Sequence, residues 1–296
     1  MANLIKTMLE DGAAYGVCID GTRIVQRAVN LHGLSPVAAA AMGRTLMGAL
    51  IMASDIKDDR GDVSVTIQGD GPLGRIIAVA NPKGEVRGCV DHPEVMLPPR
   101  ADGKLDVGGA VGKNGRIAVV RDLGFGEPYV GQSPLVSGEI AEDMAYYYAT
   151  SQQQPCLLYL GVLVNTDGSI LSAGGIGIFP LPGCPEETIR KLELGAPLYS
   201  DFTNMLKDSS LPDSIAMAFS GLAYRITQRQ DCGYVCNCSR ERMERALISI
   251  GEAELVQMVE EDHGCEITCH FCGTKYCFTE EELLRLLGEA SAKSVE

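Results

Sequence analysis

Positive charge is scarce in this chain. Its 296 residues carry 25 Lys and Arg against 39 Asp and Glu, a net charge of −14. Nucleic acid requires a basic footprint to neutralise phosphate, so it is excluded as the main partner. A secretory leader is also missing: "MANLIKTMLEDG" has no basic segment followed by an apolar one, and a cytoplasmic protein is expected. Nor is there a clean membrane span. The longest apolar stretch, "PVAAAAMGRTLMGALIMAS" at residues 36–54, nearly reaches bilayer length. Arg44 near its middle is costly in lipid, and its Ala and Gly make it only weakly apolar, so it is expected to be a buried helix.

Cysteine, by contrast, is plentiful. There are 11, and without a leader they suggest metal or redox chemistry rather than a disulfide scaffold. Cys18, Cys89, Cys156 and Cys184 are scattered single residues, expected to be core filler like the tyrosine run Tyr146–Tyr148. The other seven fall between 232 and 277. Residues 232–296 hold six basic and thirteen acidic residues, about half of the net negative charge.

The first 180 residues alternate strand and helix signals. "AAYGVCI", "DVSVTIQ", "RIIAVAN", "GEVRGCV" and "RIAVVRD" predict strands. Ser35-Pro36 predicts a capped helix start running to about residue 54, and Ser137 is expected to cap a helix through "EIAEDMAYYYATSQQ". "CLLYLGVLV" and "SILSAGGIGIF" flank "NTDG", where Asp167-Gly168 supplies a hairpin turn. The fold class expected is α+β: an N-terminal mixed α/β domain (1–182) with two sheets and a long buried helix. Prolines at 180, 182 and 185 then break the pattern. "ETIRKLELG", "YSDFTNMLKD" and "PDSIAMAFSGLAYRIT" predict short helices in a linker at 183–231. That linker is too short to bury a core of its own and must lie against something larger.

The remaining segment, 232–296, reads as a small C-terminal domain. Ser239 is an N-cap for a helix with Met243, Ala246, Leu247 and Ile250 on one face, ended by Gly251. A second helix presents Leu255, Met258 and Val259. "CEITCHFCGTKYCF" alternates like a hairpin, and Thr279 with Glu282 makes a capping box for a last helix with Leu283, Leu284, Leu286 and Leu287. A C-x-C thus stands at a helix start and a C-x-x-C on a hairpin turn. Four sulfurs from two such pairs can converge on one tetrahedral Zn²⁺ at ~2.3 Å. Spacing alone leaves the ligand set open, because Cys232, Cys265, Cys277, His263 and His270 are close in sequence. The plain readings of these are an exposed loop thiol for Cys232, strand core for Cys277 beside Phe278, either for Cys265, and solvated loop residues for both histidines.

"CNCSRER", a thirty-residue spacer and "CHFCGTKYCFTEEEL" together resemble the thirty-three-kilodalton heat-shock proteins, bacterial redox-regulated holding chaperones. The resemblance covers the whole chain, through "AAMGRTL", "GDGPLG", "NPKGEVRG", "GKLDVGGAVG", "LVSGEIAEDMAYYYATS" and "GGIGIFPLPG". It implies a chaperone and not an enzyme, with no catalytic residues. It implies that Cys236, Cys238, Cys269 and Cys272 hold one Zn²⁺ as thiolates in the reduced protein. It further implies that oxidants form Cys236–Cys238 and Cys269–Cys272 disulfides, with loss of zinc. The tail and linker then loosen, and the chain, as a homodimer, binds unfolding client proteins under oxidative stress. Cys232, Cys265 and Cys277 depart from the common pattern.

Such a switch is physically reasonable. A structural zinc site supplies ~10–16 kcal/mol of apparent binding free energy, and a whole domain is stable by only ~5–15 kcal/mol. Each within-motif bridge closes a tiny loop and leaves the two motifs untied. A bridge between residues two apart is strained and readily reduced again. Loosening uncovers apolar side chains, and Met217, Phe219, Leu222 and Tyr224 of the linker are the expected client contacts.

Three other readings compete. "GDGPLG" at 69–74 matches G-x-G-x-x-G, but a strand and not a helix is expected after it, which argues against a nucleotide loop. A thiol oxidoreductase needs only one C-x-x-C, beside a βαβ unit. A nucleic-acid-binding zinc ribbon conflicts with the acidic tail.

Overall fold

Ser35 starts the helix that organises the larger part of the molecule. Its Oγ accepts the Ala38 amide at 3.2 Å, and Pro36 occupies the first turn, where its missing N–H is not needed. The computed structural model describes residues 3–293, which form two compact units divided between Val235 and Cys236. In chain order the larger unit begins β1 (Leu4–Leu9), β2 (Ala14–Asp20), α1 (Thr22–His32), α2 (Pro36–Ala53), β3 (Asp62–Gln68), β4 (Arg75–Ala80) and β5 (Glu85–Val90). It continues α3 (Val107–Val111), β6 (Arg116–Asp122), β7 (Tyr129–Pro134), α4 (Ala141–Ser151), β8 (Leu157–Val164) and β9 (Ile170–Pro180). It ends α5 (Glu186–Leu194), α6 (Ala196–Ser200), α7 (Phe202–Asp208), α8 (Leu211–Ala218), β10 (Tyr224–Gln230) and β11 (Gly233–Tyr234).

Two sheets enclose α2. One has five strands in the order β10-β1-β2-β9-β8, the other six in the order β11-β5-β4-β3-β6-β7. The described pairings are antiparallel except that of β11 with β5. Helix α2 packs on β4 and β5 from one side and on β8 and β9 from the other. All its residues except Pro36 and Arg44 are buried, so the apolar stretch is a core helix. Two glycines permit this close approach. A Cβ at Gly48 would sit 2.2 Å from the Met144 sulfur, and one at Gly43 would sit 2.9 Å from Val162 and Val25. Arg44 reaches Glu139, with Nη1 2.7 Å from Oε2 and 3.1 Å from the backbone oxygen, which pairs the one charge on the helix.

The helix at 141–151 is not capped by Ser137. Asp143, fully buried in its first turn, accepts the amides of Val136 (2.7 Å), Ser137 (3.0 Å), Gly138 (3.3 Å) and Ile140 (3.0 Å). The cap comes from inside the helix, which lets Ile140 enter it at φ 69°. "GDGPLG" joins β3 to β4, strand–turn–strand, so it offers no helix N-terminus to a phosphate.

The linker region lies against the five-stranded sheet, as its length demands. Leu192, Tyr199, Phe202, Leu211, Ile215 and Phe219 bury themselves over Ile5, Leu9, Cys18, Ile176 and Ile178. It is not helical throughout, however. Helix α8 stops at Ala218, Gly221 turns at φ 82°, and Tyr224–Gln230 forms strand β10 beside β1. Two residues of β11 then add to the second sheet, so the larger unit extends to Val235. Tyr234 fixes this end: its hydroxyl donates to the Gly88 carbonyl at 2.7 Å.

The smaller unit comprises α9 (Arg240–Ile250), α10 (Glu252–Gln257), a π-turn at Met258–Asp262, β12 (Gly264–Thr268), β13 (Lys275–Thr279) and α11 (Glu280–Lys293). Ser239 caps α9 by accepting the Arg242 amide at 3.3 Å. Thr279 and Glu282 form the expected box, the Thr279 amide donating to Glu282 Oε2 at 2.9 Å and the Glu282 amide to Thr279 Oγ1 at 3.4 Å. Among the described residues the buried core is Leu247, Leu255, Val259, Phe278, Leu283 and Leu286. The helix faces differ from those expected: Ile250, Leu284 and Ala246 are exposed, while Ile248 joins Met243 and Leu287 at the core edge.

Candidate metal centre

Two local structures bring four cysteines together. Cys236 and Cys238 lie in the segment without regular structure just before the Ser239 cap. Cys269 and Cys272 sit on the β12–β13 turn. Its backbone is tied by Cys272 N to Cys269 O (3.3 Å), Gly273 N to Cys269 O (2.8 Å) and Cys269 N to Thr274 O (2.9 Å), with Gly273 at φ 71° completing the reversal.

The four Sγ atoms all lie within 4.8 Å of one another. Two separations between the motifs are short: Cys236 to Cys269 at 3.7 Å and Cys238 to Cys272 at 3.4 Å. Sulfurs ~2.3 Å from a tetrahedral ion stand ~3.8 Å apart, so the quartet matches a four-thiolate metal site in donor type and spacing. Cys269 is buried and the other three are half-buried.

The surroundings divide the thiols. Burial pushes Cys236 and Cys269 up. Burial also acts to raise Cys272, but the Thr274 hydroxyl at 3.2 Å, the Thr274 amide and the neighbouring sulfurs outweigh it and bring this thiol down to about 7. The Tyr276 hydroxyl donates to Cys238 Sγ at 3.2 Å. Thr274, just before β13, and Tyr276, within it, escaped the sequence reading.

The neighbouring candidates stand outside this quartet. Cys232 belongs to the larger unit and is not an exposed loop thiol. Its amide donates to Asn3 Oδ1 at 2.6 Å, its carbonyl accepts from Asn3 Nδ2 at 3.1 Å, and burial pushes its thiol up to about 12. Cys265 is half-buried against the small core. Cys277 is exposed, not strand core: it stands opposite Glu266 in the ladder, while Phe278, opposite Cys265, takes the inward face. His263 pairs with Glu280 at 3.1 Å on the surface, and His270 is exposed. Of the scattered cysteines, Cys18 is buried and Cys89, Cys156 and Cys184 are half-buried. Tyr147 and Tyr148 are core, whereas Tyr146 is 39% exposed. In the linker Phe219 is buried, Leu222 and Tyr224 are half-buried, and Met217 is exposed.

Known proteins resemble this chain in sequence and in fold. The family described as Hsp33 protein matches residues 2–279. Proteins named 33 kDa chaperonin from Staphylococcus aureus strains JH9 and Newman are 44% identical over 285 residues, covering 96% of this chain and 97% of each relative. A crystal structure of the 33 kDa chaperonin (Heat shock protein 33 homologue) from Thermotoga maritima superposes with a TM-score of 0.87 at 33% identity, covering 99% of this chain and 100% of that one. Sequence and fold thus agree over nearly the whole chain, and the chain belongs to the Hsp33 protein family.

Proposed function

We propose that this protein is a redox-regulated holding chaperone whose switch is the quartet Cys236, Cys238, Cys269 and Cys272. Bound Zn²⁺ would hold the four sulfurs as thiolates and tie the C-x-C to the C-x-x-C. Oxidation within each motif consumes the thiolates: Cys236 joins Cys238 and Cys269 joins Cys272. Neither bridge links the two motifs, so the small unit loses its main tie. Its core of a few leucines, one valine and one phenylalanine is marginal for a segment of this size.

The loosening then passes to the linker at 183–231. Its helices hold to the sheet through one apolar face, and their release uncovers both that face and the sheet beneath. Met217, Phe219, Leu222 and Tyr224 belong to the surface on which unfolding proteins are held, the oxidised chain acting as a homodimer in the cytoplasm under oxidative stress. No catalytic residue is required.

The sulfur geometry carries this reading, since four thiols within 4.8 Å in a small, weakly cored unit fit a metal-dependent fold. The test is zinc quantitation before and after peroxide, paired with suppression of aggregation of a denatured test protein. Zinc release accompanied by new suppression is expected. Suppression by the reduced, zinc-loaded chain at the same level would refute it. Peptide mapping of the oxidised chain decides connectivity, since bridges between Cys236 and Cys269 or Cys238 and Cys272 would keep the motifs tied.

A further inference from the structure

The larger unit holds a cavity of about 320 Å³ between the start of α4, strand β8 and the linker helices α6 and α7. Its floor is apolar. Leu158 and Leu160 of β8, Tyr199 of α6 and Phe202 of α7 line it, and all four are buried. Its rim is cationic. Arg44 and Arg100 share the one carboxylate of Glu139, at 2.7 Å and 3.0 Å, so two guanidinium groups lean on a single negative charge. Asp102 takes another nitrogen of Arg100 at 3.2 Å, and Glu142 is the other acid of the lining. Lys104 stands on the same rim, and among the described residues its ammonium has no hydrogen-bond acceptor.

Donors are in surplus here. Arg44 Nε and the Tyr199 hydroxyl are buried without a partner. Strand β8 is the last of its sheet, and residues 158–161 make no backbone hydrogen bond outside the ladder with β9. Alternate amides of such a strand point away from its neighbour and are free to donate. An apolar floor takes a hydrocarbon body, while unspent donors and shared cations at one side take a carboxylate.

We infer that this cavity binds a small organic acid with an apolar tail, its carboxylate toward Arg44, Arg100 and Lys104 and its tail over Leu158, Leu160 and Phe202. The walls belong to two parts of the larger unit. Helix α2, the start of α4 and β8 form one side, and helices α6 and α7 of the linker form the other. The site is therefore complete only while the linker lies on its sheet, and a bound acid clamps it there. At a concentration about a hundred times Kd, the undocked population falls about a hundredfold. This clamping rests on the proposed release of the linker; the site itself does not.

The experiment uses the full, reduced, zinc-loaded chain and sodium octanoate, followed by titration calorimetry. Saturable binding of one octanoate per chain is expected. Acetate lacks the tail and octylamine carries the wrong charge, and each should bind at least about tenfold more weakly. Lys104→Glu reverses one rim charge, and Ser200→Trp fills the cavity from an exposed position on α6, so each should weaken octanoate by about tenfold or more. Lys113→Glu, an exposed charge outside the lining, should leave binding unchanged. Saturating octanoate should also slow protease cleavage within residues 183–223 by about tenfold. Unsaturable adsorption only, equal binding of octylamine, or wild-type affinity in both lining variants overturns the site. Saturable binding with unaltered linker cleavage overturns the clamp. Aggregation suppression measured without octanoate judges the chaperone reading separately.

Discussion

Cys238 Sγ lies 3.4 Å from Cys272 Sγ across 34 residues of chain. Losing one of this pair removes a quarter of the donor set and leaves α9 unattached to the hairpin. Cys238→Ser or Cys272→Ser is expected to lower zinc content well below one equivalent and to abolish exchange protection of α9 and α11. On the proposed reading a chelator acting on the fully reduced wild type should do the same, because a zinc ion held there would supply ~10–16 kcal/mol to a weakly cored fold. Hydrogen exchange checks both, with the strands of the larger unit as the internal reference.

Phe219 is 2% exposed, with its ring 6.0 Å from Tyr199 and 5.2 Å from Tyr224. Phe219→Ala should weaken linker docking by about 3–5 kcal/mol. The expected outcome is protease cleavage within residues 183–223 and measurable aggregation suppression by the reduced, zinc-loaded chain. Cleavage without suppression would separate linker release from client holding.

The Asp143 carboxylate caps four backbone amides from a fully buried position. Asp143→Asn keeps the shape but turns an N–H₂ group toward amides that need an acceptor. A loss of about 2–4 kcal/mol is expected in urea unfolding of the larger unit, with zinc binding by the tail unchanged.

Alkali should destabilise the larger unit through its thiols. Burial pushes Cys156 and Cys232 from 9.0 to about 12. In the unfolded chain these thiols ionise near 9, while in the fold they stay protonated. The unfolded state therefore binds fewer protons above that pH, and stability falls as pH rises from about 9 to about 12. The double variant Cys156→Ala, Cys232→Ala should show a shallower fall than the wild type in pH-dependent thermal melts.

Much of this was legible where the signal is local. Ser35-Pro36, the "NTDG" turn, Ser239 and the Thr279–Glu282 box each predict a boundary from residues within four positions of it. The quartet was legible because two short spacings fall on a helix start and a hairpin turn. What failed to show depends on distant partners. Strand β10 is an edge strand with Arg225–Arg229 all exposed, so it carries no alternation, and its partner β1 lies more than 200 residues earlier. Strand β1 breaks the alternation at its start, where Leu4 and Ile5 are both buried. Helix α1 did carry a signal, with Ile24, Val25 and Ala28 on one face and Gly33 at φ 61° after its end. Cys232 looked like a loop thiol because Asn3, which clasps its backbone, is at the other end of the chain.

The pairing of β10 with β1 has one more effect. Strands β9 and β10 bracket the linker helices and belong to the same sheet, separated by β2 and β1. With strands ~4.8 Å apart, the two anchor points stand only about 14 Å from each other. A linker that lifts away while both strands stay paired is a looped tether, not a free tail. Its helices would stay at high local concentration over the surface they leave and would compete with anything bound there.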